Sequence, residues 1–263
     1  MKRALCIGVN DYRWIGEESS LRGCINDAKE WAALLLDYYR FDEVDLMLDT
    51  SATPEAVKAA LARLAAVSKP GDVVAFTYSG HGTRVPDADG DEADGADEAI
   101  VLHGALLTDD EMAEALAAFK PGVSVAVVSD SCHSGTMMRL MGGEASATGP
   151  RPRFLAPALF GKGAVVAGRP AHRFGKPRAA TAAEAPRQVL LAGCKDYETS
   201  MDAYLSNGYH GALTYHAVRI LQEDPYLTWR EVAARLRPRI ACCSPQTPQA
   251  EGAANALDSP VFT

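Results

Sequence analysis

Short apolar runs alternate along this chain with stretches whose apolar residues recur every three or four positions. Residues 4–9, 44–48, 73–78, 123–129 and 189–192 are compact apolar runs and read as strands. From Ile25, apolar side chains return at Ala28, Trp31, Ala32, Leu35 and Tyr38–Tyr39, which is helical spacing. Thr53-Pro54-Glu55 supplies an N-cap, a first-turn proline and a first-turn acid, and Val57, Ala60, Leu61 and Leu64 follow on one helical face. Thr108-Asp109-Asp110-Glu111 is a capping box opening a helix to about residue 119. A helix over about 212–222 and a second capping box, Thr228 with Glu231, complete the pattern. Strands apolar on both faces, interleaved with helices, predict an α/β fold with a mostly parallel central sheet and helices on both faces, a three-layer sandwich. In such sheets, sites gather outside the carboxyl ends of the strands.

Two of those strand ends carry reactive groups. The third strand runs into Tyr78-Ser79-Gly80-His81-Gly82 and the fourth into Ser129-Asp130-Ser131-Cys132-His133-Ser134-Gly135. Side chains two apart share a side of an extended chain, so Ser79 pairs with His81 and Asp130 with Cys132. On adjacent strands these four converge on one cleft. A thiol becomes a competent nucleophile when a nearby imidazole takes its proton, and the imidazole can return that proton to a leaving amine. The N–H groups of Gly82 and Cys132 are the candidate oxyanion donors. No third residue in the sequence is required to orient His81. His133 points to the opposite side of an extended chain and ranks below His81 as the base. Cys6, Cys194, Cys242 and Cys243 read as inert core thiols.

Composition narrows the class. The chain has 263 residues, 48% apolar and 23% charged, enough for one domain with an ordinary core. The formal net charge of −8 argues against nucleic acid and anionic membranes as partners. No run is long and apolar enough to span a bilayer. Six scattered cysteines without metal-type spacing, and no secretory signal, point to a reduced, cytoplasmic protein. Residues 139–187 differ from the rest. They hold nine Lys/Arg against two acids, with seven Gly and six Pro, and read as a long basic loop inserted in a single domain, 1–263. Such a loop is prone to nicking. Cleavage there, by the chain itself or by an upstream protease, is one reading, a variable insertion another, and a tether for an anionic partner a third. Residues 87–98 contain seven acids in twelve, but Glu92 stands where an EF-hand loop needs glycine.

Three segments carry a family resemblance. Leu21-Arg22-Gly23-Cys24-Ile25-Asn26-Asp27-Ala28, Tyr78-Ser79-Gly80-His81-Gly82 and Asp130-Ser131-Cys132-His133-Ser134-Gly135 resemble the signature segments of metacaspases in the caspase-like clan, with His81 and Cys132 51 residues apart. The resemblance covers residues 1–138 well. It extends more loosely to Gly211-Ala212-Leu213-Thr214 and Gln246-Thr247-Pro248-Gln249. It implies a caspase-like sandwich and a monomeric cysteine endopeptidase that cleaves protein or peptide substrates after Arg or Lys. It carries the substrate pocket to Asp27 and Asp130, lined by Cys24 and Ser79. A carboxylate pair suits a guanidinium. For Asp27, the role of a helix-start acid stands beside the pocket role. No cofactor is required by the chemistry. The resemblance would place calcium ligands at Asp97, Asp109 and Asp110, yet Arg139 stands where the family commonly has an acid, and Asp109 and Asp110 also suit a capped helix. A catalytically inactive scaffold of the same fold is the alternative function, although both reactive residues are present.

Overall fold

The computed structural model describes residues 1–86, 96–132, 149–160, 187–194, 198, 200–206, 208–241 and 244–263. The elements follow in the order β1 (Lys2–Gly8), α1 (Cys24–Asp37), β2 (Glu43–Leu48), α2 (Pro54–Val67), β3 (Val73–Ser79), β4 (Gly82–Pro86), β5 (Ala96–Val101), β6 (Leu106–Thr108), α3 (Asp109–Ala117), β7 (Ser124–Asp130), β8 (Arg151–Pro152), β9 (Arg187–Ala192), β10 (Met201–Leu205), β11 (Gly208–Gly211), α4 (Ala212–Glu223), α5 (Trp229–Ala241), β12 (Gln249–Gly252) and α6 (Ala254–Leu257). The central sheet has the order β12-β9-β7-β3-β1-β2. Its pairings are parallel except for β12, which runs antiparallel to β9.

The period of two along each strand divides the core into two layers. Leu5, Ile7, Val74, Phe76, Val125 and Val127 face α2 and α3, meeting Val57, Leu61, Leu64, Met112 and Leu116. Ala4, Cys6, Val73, Ala75, Ala126 and Val128 face α1, α4 and α5, meeting Trp31, Leu35, Val218, Leu221, Val232 and Leu236. Both helix layers are needed because neither sheet face is polar; each fully buried Leu, Ile or Phe contributes about 1.5–3 kcal/mol. The expected capping side chains are present: Thr53 Oγ1 accepts from Ala56 N at 3.2 Å, and Thr108 and Glu111 form a reciprocal box. No helix among the described residues is long and apolar enough to cross a membrane.

Two small sheets, β4-β5-β6 and β11-β10-β8, sit at the carboxyl end of the main one and lie outside the expected pattern. The basic stretch 139–187 is not loop throughout. Residues 151–152 form a strand against β10 and residues 157–160 a turn of 3₁₀ helix, while 139–148 and 161–186 lie outside the described residues.

Candidate active site

β3 and β7 are neighbours, and their last residues, Ser79 and Asp130, are directly paired. The chain continues two residues past each end to His81 and Cys132, both buried. His81 is held from three sides. Its Nε2 lies 2.7 Å from the Ser19 carbonyl, its backbone N–H donates to Tyr12 Oη at 2.9 Å, and the Tyr12 ring stands edge-on at 4.6 Å. A carbonyl can only accept, so Nε2 carries the proton and Nδ1 presents its lone pair. Nδ1 is buried and has no hydrogen-bond partner. Burial pushes the His81 pKa down to about 3, against the opposing pull of the Ser19 and Arg153 carbonyls, so the imidazole is a neutral base.

The Cys132 sulfur accepts the Ser200 backbone N–H and lies 3.5 Å from the Ser200 carbonyl. Cys194, expected to be an inert core thiol, sits with its sulfur 3.6 Å from that of Cys132. Burial raises the Cys132 pKa well above that of a free thiol; the neighbouring Cys194 raises it further, and the Ser200 N–H works in the opposite sense. Thiol and imidazole are both neutral in this state.

Beside this pair lies a fully buried ionic pocket, and it is filled by the chain's own Arg153. Arg153 Nη2 donates to Asp27 Oδ2 at 2.7 Å and to Asp202 Oδ1 at 3.1 Å. Nη1 donates to Ser79 Oγ at 2.7 Å and to the Asp130 carbonyl at 3.0 Å, and lies 3.4 Å from Asp130 Oδ1. Asp27 sits in the first turn of α1 but caps nothing there. It accepts from Ser79 Oγ at 2.6 Å and from Gly211 N, and its Oδ1 is 3.1 Å from His210 Nδ1. Both positions weighed for Asp27 are present together: it is a first-turn acid of the helix, and its carboxylate faces the Arg153 guanidinium. Cys24 lines it too; burial raises its pKa most, with the nearby Arg153 charge and Ser79 opposing.

The two principal carboxylates differ. Burial pushes Asp27 up, but Arg153, His210 and Ser79 outweigh it and hold Asp27 below the usual range. Asp130 is raised, chiefly by burial and further by the charge of Asp27, despite Arg153 and a 2.8 Å hydrogen bond from Thr214 N at the start of α4. Of the loosely matching C-terminal segments, Gly211 and Thr214 contact the carboxylates directly, and Gln246 supports them through Ser200. Gly211 closes one side, where a Cβ would collide with Asp130 Oδ2 and Arg153 Nη1. Gln246 Nε2 bonds the Gly193 carbonyl at 2.8 Å and Ser200 Oγ at 3.2 Å, and Ser200 Oγ in turn donates to Asp130 Oδ1 at 2.9 Å.

The backbone of Arg153 is held as specifically as its side chain. Its carbonyl accepts from Gly82 N at 2.9 Å and Cys132 N at 3.3 Å, the two donors expected of an oxyanion hole, and its N–H donates to the Ser200 carbonyl at 2.9 Å. On one side Pro152 and Arg151 pair antiparallel with Met201 and Asp202 of β10. On the other, Leu155 N donates to the Gly82 carbonyl at 3.0 Å and Thr83 Oγ1 to the Leu155 carbonyl at 2.7 Å. Residues 151–155 cross the site between these two sets of bonds, with 151–152 in strand conformation.

Of the residues considered for calcium, only Asp109 and Asp110 have described side chains. Asp109 and Asp110 open α3, with Asp109 Oδ1 accepting from Asp110 N at 3.1 Å. The Asp97 side chain, Arg139 and most of the acidic stretch lie outside the described residues, and so does His133. No metal-ligating cluster occurs among the described residues.

The family model for "Metacaspase, peptidase C14 domain" matches residues 2–141, more than half the chain. The chain belongs to the metacaspase family. It is similar to Metacaspase-1B of Aspergillus terreus, at 29% identity over 94% of this chain and 74% of the relative. It is also similar to Metacaspase-1B of Aspergillus fumigatus, at 30% identity over 94% and 68% respectively. A crystal structure of a protein from Geobacter sulfurreducens superposes with a TM-score of 0.74 at 28% identity, covering 100% of this chain and 98% of that one. The α/β sandwich is thus that of a caspase-like fold, and this metacaspase is a cysteine-type peptidase.

Sequence reasoning missed Ser19, Tyr12, Ser200, Asp202, His210 and the occupant Arg153. Ser19 and Ser200 reach the reactive residues through backbone atoms, which carry no side-chain signature. Asp202 had a signal, a lone acid in the short strand Met201–Leu205.

Proposed function

We propose that this metacaspase is an endopeptidase that cleaves protein or peptide chains after arginine, and less well after lysine, using Cys132 as nucleophile and His81 as general base and acid. The carrying observation is the seat of Arg153: a guanidinium among Asp27, Asp130 and Asp202, with its carbonyl on the N–H groups of Gly82 and Cys132. In a bound substrate, Cys132 loses its proton to His81 Nδ1 as sulfur adds to the carbonyl carbon. The two N–H groups receive the developing oxyanion, and His81 returns the proton to the departing amine. Water then releases the acyl group from the sulfur. Arginine is favoured over lysine because its planar fork reaches two carboxylates and Ser79 together.

With the pocket occupied, the chain is latent, and a break in the 139–187 region activates it. Calcium belongs to this reading only as a dependence to be measured, with Asp97, Asp109 and Asp110 as the residues to hold it. The test is hydrolysis of fluorogenic peptides ending in Arg, Lys or Asp, with calcium and with chelator. It uses wild type, Cys132→Ala, and wild type cut by trypsin that is then inhibited. Turnover of Arg and Lys peptides that disappears in Cys132→Ala is expected. Turnover of the Asp peptide, or none by the cut protein, overturns the reading.

A further inference from the structure

We infer that Cys194 is the redox partner of the nucleophile: a peroxide joins Cys132 and Cys194 in a reversible disulfide that switches the peptidase off. This rests on the reading of Cys132 as the nucleophile, and adds an oxidant class and a second residue that regulate it.

The two sulfurs are 3.6 Å apart, and the Cys194 sulfur also lies 3.6 Å from the Ser131 carbonyl. The strands that lead to them are neighbours in the central sheet. β7 and β9 pair in parallel as far as Ser129 opposite Ala192, and Gly193 N donates to the Ser129 carbonyl at 2.9 Å, one residue further on. Adjacent strands run about 4.8 Å apart, inside the range of about 4.4–6.8 Å over which a disulfide bridges two Cα atoms. A sulfur–sulfur bond of about 2 Å is therefore within reach of side-chain rotation from the present contact.

A pair of thiols in contact can be plain core packing, and here the placement argues otherwise. Cys6 and Cys24, the other described cysteines, belong to the two core layers. Cys132 and Cys194 lie apart from both, clustered with Phe154 at the carboxyl end of the sheet. For hydrolysis alone a second thiol there is a handicap, because it raises the Cys132 pKa and opposes formation of the thiolate. For oxidation it is the group required. A sulfenic acid beside a thiol condenses to a disulfide, which a reductant can reopen, instead of proceeding to the irreversible sulfinic acid.

The step balances with hydrogen peroxide as oxidant. A site that admits a peptide carbonyl to Cys132 admits this smaller molecule. Cys132 gives its proton to His81 Nδ1, and the thiolate attacks one peroxide oxygen. The O–O bond breaks, and the departing hydroxide takes the proton from His81 and leaves as water, so Cys132 becomes a sulfenic acid. The Cys194 sulfur then attacks the Cys132 sulfur. The S–O bond breaks, and the hydroxide leaves with the Cys194 proton as a second water. Two thiols are oxidised to one disulfide while one peroxide is reduced to two waters. Because thiolate formation runs through His81 in both reactions, the group that arms the peptidase also arms the switch.

The experiment opens wild type and Cys194→Ser with trypsin, inhibits the trypsin, and treats each protein with hydrogen peroxide and then with a dithiol reductant. Hydrolysis of an Arg fluorogenic peptide is read after each step as a fraction of that protein's own starting rate. Non-reducing peptide mapping by mass follows the state of Cys132. The wild-type rate should fall about tenfold or more in peroxide and return to within about twofold of its start in dithiol, with a Cys132–Cys194 linked peptide, lighter by two hydrogens, present in between. Cys194→Ser should also lose its rate, but carry Cys132 as a sulfinic or sulfonic acid and recover about tenfold less than wild type. A wild-type Cys132 found as the sulfinic acid, or joined to a different cysteine, overturns the inference, and so does a Cys194→Ser protein that recovers as fully as wild type. The linked peptide is read in wild type alone, so the inference remains testable if the variant does not fold. Absence of hydrolysis in the untreated opened protein overturns the endopeptidase reading instead, and the mapping still decides whether the bond forms.

Discussion

Two buried arginines stand at opposite ends of the central sheet, and they are held in different ways. Arg3 lies within β1, at the amino end, with its backbone in the strand ladder between Glu43 and Val74. Its guanidinium meets Asp72 at 3.1 Å and Glu43 at 3.6 Å, and Asp72 is shared with the N-terminal ammonium at 2.7 Å. Every partner there belongs to the sheet's own strands or lies next to them, and Glu43 is half exposed. Arg153, at the carboxyl end, reaches Asp27 across 126 residues of sequence and meets three carboxylates with no solvent between. Arg3 is matched through its guanidinium alone, its backbone lying in an ordinary strand ladder. An arginine that acts as a ligand is matched at charge, fork and backbone together, by residues from several separate segments.

The comparison breaks first at Asp130. Asp130→Ala should lower kcat/KM for Arg peptides by about 10²–10³-fold, the scale of removing one partner from a buried ion pair. Peptide kinetics on the cut enzyme measure it, and a value within threefold of wild type would make the two arginines alike. The next effect is on pH. His81 has its pKa depressed to about 3 from an ordinary 6.5, so the unfolded chain binds a proton that the folded one refuses. The stability from keeping this ring neutral is complete above pH 6.5 and is lost as pH falls from there toward 3, by about 1.4 kcal/mol per pH unit. Urea unfolding of His81→Gln should show a shallower acid slope by that amount; an unchanged slope would mean the ring is protonated in the fold. Asp202→Asn should be milder. It removes one arm of the fork and should reduce the preference for Arg over Lys by about tenfold while retaining hydrolysis, read from the two kcat/KM values. The smallest change is at the other end. Asp72→Asn should lower Tm by about 2–4 °C, the effect expected of one partly exposed ion pair, and leave kcat/KM untouched.

The same contrast explains what could be read from the sequence. The ladder from β1 to β9 was legible because its residues face apolar layers on both sides, so every position repeats the same requirement. His81, Cys132 and Asp130 could be placed together because topology brings the ends of β3 and β7 side by side, whereas Asp27, in α1, entered only through the family resemblance. The segment over the site was not. Arg151-Pro152 is extended because β10 and the reactive residues hold it, and two residues with a proline show no period of their own. In composition it is indistinguishable from the Gly/Pro-rich stretch around it. The orientation of His81 by Ser19 and Tyr12 was hidden for a related reason: a carbonyl oxygen and a ring edge 62 and 69 residues away carry no spacing rule.

One further consequence lies in the order of strands. β9, which follows the basic stretch, is hydrogen-bonded along β7, which precedes it, from Ser124 opposite Arg187 to Ser129 opposite Ala192. Any backbone break in the intervening chain is therefore bridged by the sheet itself. The two pieces share one ladder and the helix layer of α1, α4 and α5, so neither can keep its core if it departs. A nicked molecule would migrate as a single particle under native conditions and resolve into two bands only in denaturant: the covalent chain can be discontinuous while the folded body remains one.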